Sequence, residues 1–366
     1  MTMLKENHIL TEIHRGVGWI TLNRPRALNA LSYEMVTELE QIFMNWKDDD
    51  QVSLIYLEGA GERGLCAGGD IRSLYDRRDA DIIPFATPYF QSEYRMDYLI
   101  HHYPKPVIAI MDGYVMGGGV GISNGASLRM VTEKTKWAMP EMNIGFFPDV
   151  GASYFLSQMP GSFGTYLALT AETITAADVL FLGAADYYVQ SERLADLKQA
   201  VQQEDWTTVD SLEQGLDRLV KRFSESSPLS STLKQAQDKV NHHFSLGTIE
   251  AILQSLKQAA KLGDTWAEEK ARTLEEKSPT SLKIALEQIK RGRTLSLGEC
   301  FQMEINLGMN FMVSDDFHEG VRAVVVDKDR RPRWNPPTLE EVSEEDVLRY
   351  FHYDWGKEGN PLKMLK

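Results

Sequence analysis

The stretch VIAIMDGYVMGGGVGI at residues 107–122 decides the fold, because an apolar strand leads there into a run of glycines and then into a helix. Glycine at such a turn lets the helix and the strand approach closely and leaves backbone N–H groups unshielded at the helix start. A second glycine turn, LCAGGDIR at 65–72, also follows an apolar strand. Close packing is sufficient to explain either turn alone. Together they indicate paired backbone donors around one carbonyl oxygen, which stabilise the charge that develops on an acyl group during attack.

On either side of these turns, short β-rich runs alternate with amphipathic helical segments, which is typical of α/β proteins. The predicted strands include 16–25, 52–61 and 127–141, and a predicted helix covers 28–49. After about residue 193 the sequence becomes charged and helical, and a serine or threonine of SPTSLKIALEQI (278–289) is predicted to cap one of these helices. Asp316 opens a segment that is expected to form a turn and a basic loop before a covering helix. We therefore expect two domains: an α/β core over 1–193 and a mostly helical extension over 194–366.

The composition excludes several classes of function. Of 366 residues, 39 are Lys or Arg and 53 are Asp or Glu, so the formal net charge is -14. Such a chain lacks the positive field on which non-specific binding to nucleic acids or anionic membranes depends, and neither partner is expected. No apolar run approaches the ~18–20 residues that span a bilayer. Cys66 and Cys300 match no disulfide framework, and residues 1–16 lack signal-peptide character, so we expect free thiols in a cytoplasmic protein.

Two carboxylates stand in the apolar segment 137–151, WAMPEMNIGFFPDVG. A carboxylate that is buried in such a segment has a raised pKa, so Glu141 and Asp149 are candidates for a base or nucleophile that works near neutral pH. For Asp149, capping of the helix that follows explains the residue equally well. The histidines have no metal-ligand spacing and no Gly-x-Ser-x-Gly elbow occurs, so we expect neither a metal site nor a serine triad.

The motifs taken together resemble the crotonase superfamily of enoyl-CoA hydratases and isomerases. They are NRPRALNALS (23–32), CAGGDI (66–71), MGGGVGIS (116–123) and MPE followed by FPDVG (139–151). FPDVGASYFL, SPTSLKIAL, DFHEGVRAVVVDKD and PRW further make the chain similar to the hydrolase branch that acts on 3-hydroxyisobutyryl-CoA. The resemblance covers nearly the whole chain. It implies a spiral of ββα repeats for the core, a helical extension that covers the acyl site or forms oligomer contacts, and a homo-oligomer.

The resemblance also implies roles for individual residues. It assigns the thioester oxygen to the backbone N–H groups of Gly69 and Gly118, and a contact with the acyl group to Glu93, which by itself is simply an acid on an amphipathic helix. The positions that match the path of CoA are Arg26, Ala27, Leu28 and Ala67, with Arg26 suited to a phosphate. For the basic loop 328–333 a solvated surface is the first expectation and a contact with CoA is the alternative.

One departure from the hydratase pattern favours hydrolysis. Hydratases of this superfamily carry a glutamate three residues after the oxyanion glycine, and that position is Gly121 here. The resemblance therefore implies a hydrolase for a short 3-hydroxyacyl-CoA in valine catabolism, with Glu141 as nucleophile or general base and Asp149 as its proton partner. No metal or redox cofactor is expected, because CoA is part of the substrate. The alternatives are an isomerase, decarboxylase or hydratase for another short acyl-CoA, and a catalytically silent CoA-binding protein.

Overall fold

The structure, a computed structural model, describes residues 7–78, 81–209, 211–227 and 230–366. Residues 1–6, part of the segment from which the compartment was predicted, lie outside the described residues. Strands β1 to β10 are Ile9–His14, Gly16–Leu22, Val52–Gly59, Gly64–Cys66, Val107–Met111, Tyr114–Met116, Leu128–Val131, Lys136–Ala138, Ile174–Thr175 and Tyr187–Tyr188. Helices α1 to α17 are Tyr33–Trp46, Ile71–Tyr75, Ile83–His101, Gly118–Asn124, Ala152–Phe155, Phe163–Thr170, Ala176–Phe181, Leu194–Gln203, Leu212–Phe223, Thr232–Gln235, Gln237–Phe244, Ile249–Lys261, Thr265–Glu275, Pro279–Gly292, Leu297–Met312, Asp315–Val321 and Glu344–Tyr350.

The chain divides into two compact units, each built from separate segments. The first unit comprises Met1–Gly69, Met96–Trp137 and Ile174–Thr232, and the second comprises Asp70–Arg95, Ala138–Thr173 and Leu233–Lys366. Both units draw on residues before and after 193. The division into a core and an extension at that residue stays a prediction.

The first unit is organised around a six-stranded sheet in the order β1-β2-β3-β5-β7-β10. β1 is antiparallel to β2, and the other neighbours are parallel. Apolar side chains from β2, β3, β5 and β7 form a buried core with Leu197 and Val201 of α8 and Leu216 and Val220 of α9. Parallel strands joined by helices give the α/β class that the alternating sequence predicts.

The strand predicted over 127–141 is in fact two strands, β7 and β8, separated by a turn. The hydroxyl oxygen of Thr132 accepts a hydrogen bond from the Lys134 N–H (3.1 Å), and Thr135 Oγ1 accepts one from the Thr132 N–H (2.8 Å). Threonine hydroxyls that bond to nearby backbone groups compete with the strand ladder, so the chain turns here.

The second unit is mostly helical, as the sequence predicts for the carboxyl-terminal part of the chain. Ser278 caps α14 as predicted, since its hydroxyl oxygen accepts a hydrogen bond from the Ser281 N–H at 3.0 Å. The prediction of a turn from Asp316 was wrong: α16 continues through a π-helical segment, Arg322–Val326. Phe317 and Val321 are buried on this helix, and burial of these apolar side chains favours the helix over an exposed loop.

Candidate active site

Three acidic side chains singled out from the sequence or from the family resemblance come together in the second unit. Glu93 lies on α3, Glu141 is the first residue of a 3₁₀ helix (Glu141–Ile144), and Asp149 lies in the turn before α5. Their relative exposures are 3%, 7% and 6%. A fourth buried carboxylate, Glu304 of α15, belongs to the same cluster because its charge acts on Glu141. Carboxylates buried together at this density are characteristic of functional sites.

Glu141 has the properties expected of the reacting group. Burial raises its pKa well above the ordinary value, and the negative charges of Asp149, Glu93 and Glu304 raise it further, whereas a backbone hydrogen bond lowers it. Its Oε2 atom has no hydrogen-bond partner within the described part of the chain. A buried carboxylate oxygen that is not occupied by a donor is available to attack a carbon atom or to accept a proton.

The local chain explains how Glu141 is presented. Pro140 immediately precedes the 3₁₀ helix, and Gly145 ends it with a left-handed φ of 63°. A Cβ atom at position 145 would lie 2.4 Å from the backbone oxygen of Asp316, so only glycine fits. Pro140 and Gly145 thus confine Glu141 to a single short helical turn.

Asp149 and Glu93 influence each other electrostatically. Burial raises the pKa of Asp149 to about 7, and the hydrogen bond that it accepts from the Tyr94 hydroxyl (2.8 Å, to Oδ2) partly opposes this effect. Burial also raises the pKa of Glu93 well above its ordinary value, and the charge of Asp149 adds to that rise. Glu93 is therefore more than a solvated acid on a helix face: it faces the same cluster.

The capping explanation for Asp149 was wrong. The N-cap residue of α5 is Gly151, whose position is not stabilised by a capping side chain of its own. Instead, Glu304 accepts hydrogen bonds from the N–H groups of Gly151 (2.8 Å) and Ser153 (2.9 Å). The carboxylate of Asp149 thus remains directed to Tyr94 and to the acidic cluster.

Aromatic side chains surround this part of the second unit. Phe146 packs against Phe90, Phe311 and Phe317 with ring-centroid distances of 6.2, 5.3 and 5.4 Å, and Tyr94 packs against Phe301 at 5.4 Å. This apolar surrounding lowers the local dielectric constant and explains why desolvation dominates the pKa values of the acids.

The glycine residues of the two turns lie together in the first unit. β4 and β6 are neighbouring parallel strands of a second, four-stranded sheet in the order β4-β6-β8-β9, so the turns that follow them meet at the same edge of that sheet. A Cβ atom at Gly119 would lie 2.3 Å from the carbonyl oxygen of Cys66, which shows how closely α4 approaches the turn after β4. Gly118 is the first residue of α4, so its N–H has no partner within the helix.

The residues matched to the CoA path are partly brought together. The Ala67 N–H donates to the Leu28 carbonyl oxygen at 3.1 Å, next to the 3₁₀ turn Pro25–Ala27 that carries the exposed Arg26. Arg330 and Arg331 of the basic loop are exposed and line an open pocket of the second unit together with Lys277. Over the described ranges, His, Cys, Asp and Glu side chains do not converge in threes in a way that could hold a metal ion. None of the described helices is both long and apolar enough to cross a membrane.

Three residues of the site were missed by the sequence analysis: Tyr94, Glu304 and Gln288. Gln288 donates from Nε2 to the Pro148 carbonyl oxygen and to Ser153 Oγ (2.8 Å). The one sequence signal was an acid at position 304 in the otherwise apolar face of α15, and a tyrosine next to Glu93 carries no signal by itself.

Comparison with known proteins identifies the family. The model of the enoyl-CoA hydratase/isomerase family matches residues 17–351. Mitochondrial 3-hydroxyisobutyryl-CoA hydrolases of Gallus gallus and Homo sapiens are 40% and 38% identical to the chain over 343 residues, which cover 94% of this chain and 88% of each relative.

Solved structures with the same fold cover almost the whole chain. A carnitinyl-CoA dehydratase from Mycobacterium thermoresistibile is 36% identical with a TM-score of 0.88, covering 95% of this chain and 97% of its own. An enoyl-CoA hydratase from Rhodobacter sphaeroides is 33% identical with a TM-score of 0.85, covering 94% and 97%. The predicted crotonase-type fold is confirmed. The chain therefore belongs to the enoyl-CoA hydratase/isomerase family and, within it, to the branch of the 3-hydroxyisobutyryl-CoA hydrolases.

Proposed function

We propose that this protein hydrolyses the thioester of a short 3-hydroxyacyl-CoA, with 3-hydroxyisobutyryl-CoA as the first candidate, to the free hydroxy acid and CoA. The observation that carries the proposal is the buried acidic cluster around Glu141, whose Oε2 atom is not bonded by any described residue. The names of the curated relatives support the same substrate.

Glu141 performs the central step in this proposal. As a nucleophile, its carboxylate attacks the thioester carbon, the carbon–sulfur bond breaks, and CoA leaves as a thiolate while an anhydride forms that water then cleaves. As a general base, it takes a proton from water while the water oxygen attacks the same carbon, the carbon–sulfur bond breaks, and CoA leaves as a thiolate that then takes up a proton, with no anhydride formed. The raised pKa of Glu141 serves both routes, because a more basic carboxylate is a better nucleophile and a better proton acceptor.

Asp149 is the proton partner. Its pKa of about 7 means that both of its protonation states are populated near neutral pH, so it can give a proton to the departing thiolate and take one from water. In a 3-hydroxyacyl substrate the same carboxylate is suited to accept a hydrogen bond from the hydroxyl group. Acyl groups without that hydroxyl leave a buried polar group unpaired, and this gives selectivity.

The backbone and CoA contacts in this proposal follow the family resemblance. Gly69 and Gly118 polarise the thioester carbonyl through their N–H groups. The removal of one such donor typically costs ~2.7–4 kcal/mol of barrier in other enzymes. Glu93 contacts the acyl group. Residues proposed to line the CoA path are Arg26, Ala27, Leu28 and Ala67.

The main alternative is addition or removal of water, because two of the similar solved structures are named a dehydratase and a hydratase. Gly121 argues against it: the position of the second catalytic glutamate of the family's hydratases holds no side chain, and it lies buried inside α4. Isomerase and decarboxylase activities and silent CoA binding remain outcomes of the test below.

The test is release of free CoA thiol from 3-hydroxyisobutyryl-CoA, 3-hydroxypropionyl-CoA and crotonyl-CoA, with wild type, Glu141→Gln and Glu40→Gln compared. Glu40 is a matched control because it is a buried glutamate of α1 in the first unit. We expect thiol release from both hydroxyacyl esters, a loss of at least about 10³-fold in Glu141→Gln, and no loss in Glu40→Gln. Absence of thiol release together with a falling crotonyl-CoA absorbance would overturn the proposal in favour of hydration.

Three further expectations belong to the proposal. Activity is expected to survive prolonged treatment with a chelator, because CoA enters as substrate and no cofactor takes part. The proposed setting is valine catabolism in the cytoplasm, although the vertebrate relatives are named as mitochondrial, and fractionation of the source cells tests the compartment. A homo-oligomer is expected from the family, and light scattering of the purified protein tests it.

A further inference from the structure

The turn that carries Asp149 has an unfavourable backbone conformation. Val150 has a φ of 52° and Gly151 a φ of 85°, so two consecutive residues lie in the left-handed region. This region is ordinary for glycine, but for a β-branched residue such as valine it is a real outlier that costs free energy. Val150 is also buried, with 3% of its surface exposed. Such a conformation persists only where the surrounding structure holds it.

Glu304 holds the chain immediately after the strained residue. Its Oε2 atom accepts a hydrogen bond from the Gly151 N–H (2.8 Å), and its Oε1 atom accepts from both the N–H (2.9 Å) and the hydroxyl (2.6 Å) of Ser153. Glu304 is fully buried, with 0% of its surface exposed. One carboxylate of α15 therefore bridges two residues of a turn that is about 150 positions away in the chain.

Other side chains hold the same turn before and at Asp149. Gln288 of α14, also fully buried, donates to the Pro148 carbonyl oxygen, and Tyr94 of α3 donates to the Asp149 carboxylate at 2.8 Å. The turn is thus fixed at the residue before Asp149, at its side chain and at the residues after it. Three helices contribute to this support.

A buried carboxylate is an expensive way to satisfy two backbone N–H groups. Serine, threonine or aspartate at the N-cap position does this locally in most helices, and the N-cap position of α5 is occupied by Gly151 instead. Burial raises the pKa of Glu304 to about 8 even though its three hydrogen bonds oppose that change. A costly group at this position, beside a strained residue that directly follows Asp149, points to a role beyond capping.

We propose that Glu304 is a positioning residue, whose carboxylate holds the strained turn at Val150 and Gly151 and thereby fixes the direction in which Asp149 presents its carboxylate to the acyl group. This inference rests on the proposed role of Asp149 in thioester hydrolysis. Glu304 itself hydrogen-bonds the Gly151 and Ser153 N–H groups and the Ser153 hydroxyl, so its proposed effect on Asp149 passes through the turn. Its charge also raises the pKa of Glu141, as the last of several causes.

The first test is Glu304→Gln, which keeps the size of the side chain but replaces one acceptor oxygen by an NH₂ group that faces a backbone N–H. We expect kcat/KM for 3-hydroxyisobutyryl-CoA to fall about 10- to 100-fold, because small misplacements of reacting groups have effects of this size. The fall for isobutyryl-CoA, which lacks the hydroxyl group, is expected to be smaller. Glu40→Gln serves again as the control for loss of a buried glutamate, and its kinetics are expected to match wild type.

Two double variants separate positioning from a general structural role. In an Asp149→Asn background, Glu304→Gln is expected to lower kcat/KM by less than about threefold, because its effect passes through Asp149. In a Val150→Gly background, where the left-handed conformation is free of strain, the loss caused by Glu304→Gln is expected to shrink several-fold. If Glu304→Gln does not fold, Ser153→Ala, which removes one of the three hydrogen bonds, replaces it in the same cycles.

The outcomes distinguish this inference from the proposed function. Wild type that releases no thiol from either ester refutes the hydrolase proposal. Active wild type in which the Glu304→Gln loss is equal in all backgrounds and for both esters refutes positioning while leaving hydrolysis intact. A loss that nearly disappears with Asp149→Asn and shrinks with Val150→Gly supports the positioning role.

Discussion

Replacement of Asp149 by asparagine is expected to make the protein more stable at alkaline pH while it impairs turnover. The carboxyl group is buried, and its pKa in the folded protein is about 7, against an ordinary value of 3.8. Because the folded pKa is the higher one, the folded state holds this proton over a pH range in which the unfolded chain has already lost it. Stability therefore falls as pH rises from about 4 to about 7 and levels off above that range.

The size of the effect follows from the two pKa values. At 1.36 kcal/mol for each tenfold difference in proton affinity, the ionised carboxylate lowers the free energy of unfolding by about 4 kcal/mol at pH values above 8. More than half of this loss falls between pH 5 and pH 8. An asparagine has no proton to lose, so the variant lacks this slope. The variant therefore gains stability relative to wild type by about 3 kcal/mol across that interval.

Urea unfolding followed by tryptophan fluorescence at several pH values between 5 and 8 measures this difference directly. The amide also alters packing, but this effect on the free energy of unfolding is the same at every pH. It therefore cancels when the change between pH 5 and pH 8 is compared in the variant and in wild type. Asp50→Asn, at an exposed position of a turn in the first unit, is the control and is expected to show a wild-type slope. A constant difference in stability between Asp149→Asn and wild type over the whole range would refute the reasoning, because it would mean that burial does not perturb this carboxyl group.

Further predictions concern the neighbouring acids, the thiols and one buried lysine. Glu93→Gln removes a negative charge that raises the pKa of Glu141. The acidic limb of the pH profile of kcat/KM is therefore expected to move to lower pH, and an unchanged limb would count against an interaction between Glu93 and Glu141. Cys66 and Cys300 are buried, so a thiol reagent is expected to label neither in the native protein within minutes and both in denaturant. Lys270 is 7% exposed at its side chain and pairs with two glutamates, so Lys270→Met is expected to cost about 1–3 kcal/mol in chemical unfolding with kcat unchanged.

The local sequence predicts those parts of the site that depend on residues adjacent in the chain. The two glycine turns could be predicted because a run of glycine after an apolar strand constrains the backbone by itself. Glu141 and Asp149 could be predicted because a charge in an apolar segment needs a reason. The break between β7 and β8 was missed because it depends on hydroxyl-to-backbone bonds at Thr132 and Thr135, which compete with a strand only slightly.

Sequence reasoning fails where the partner of a residue comes from a distant part of the chain. Glu93 was identified through the family resemblance, because an acid on an amphipathic helix is usually solvated. Tyr94 and Glu304 reach Asp149 and its turn from positions about 55 and 150 residues away. Periodicity within one helix does not reveal which turn of another segment that helix will support. Such residues become visible only once tertiary packing is known.

Protonation of the acidic cluster affects both the stability of the folded protein and the proton transfers that thioester hydrolysis requires. Glu93, Glu141, Asp149 and Glu304 are all buried, and each has a pKa raised by desolvation, so full ionisation of the four at neutral pH is unfavourable. Retention of a proton within the cluster is therefore favoured. Hydrolysis of a thioester needs a proton removed from water and a proton delivered to the departing thiolate, and a set of carboxyl groups that shares a proton can do both. The desolvation that lowers stability as these carboxyl groups ionise is thus the same property that favours a transferable proton beside Glu141.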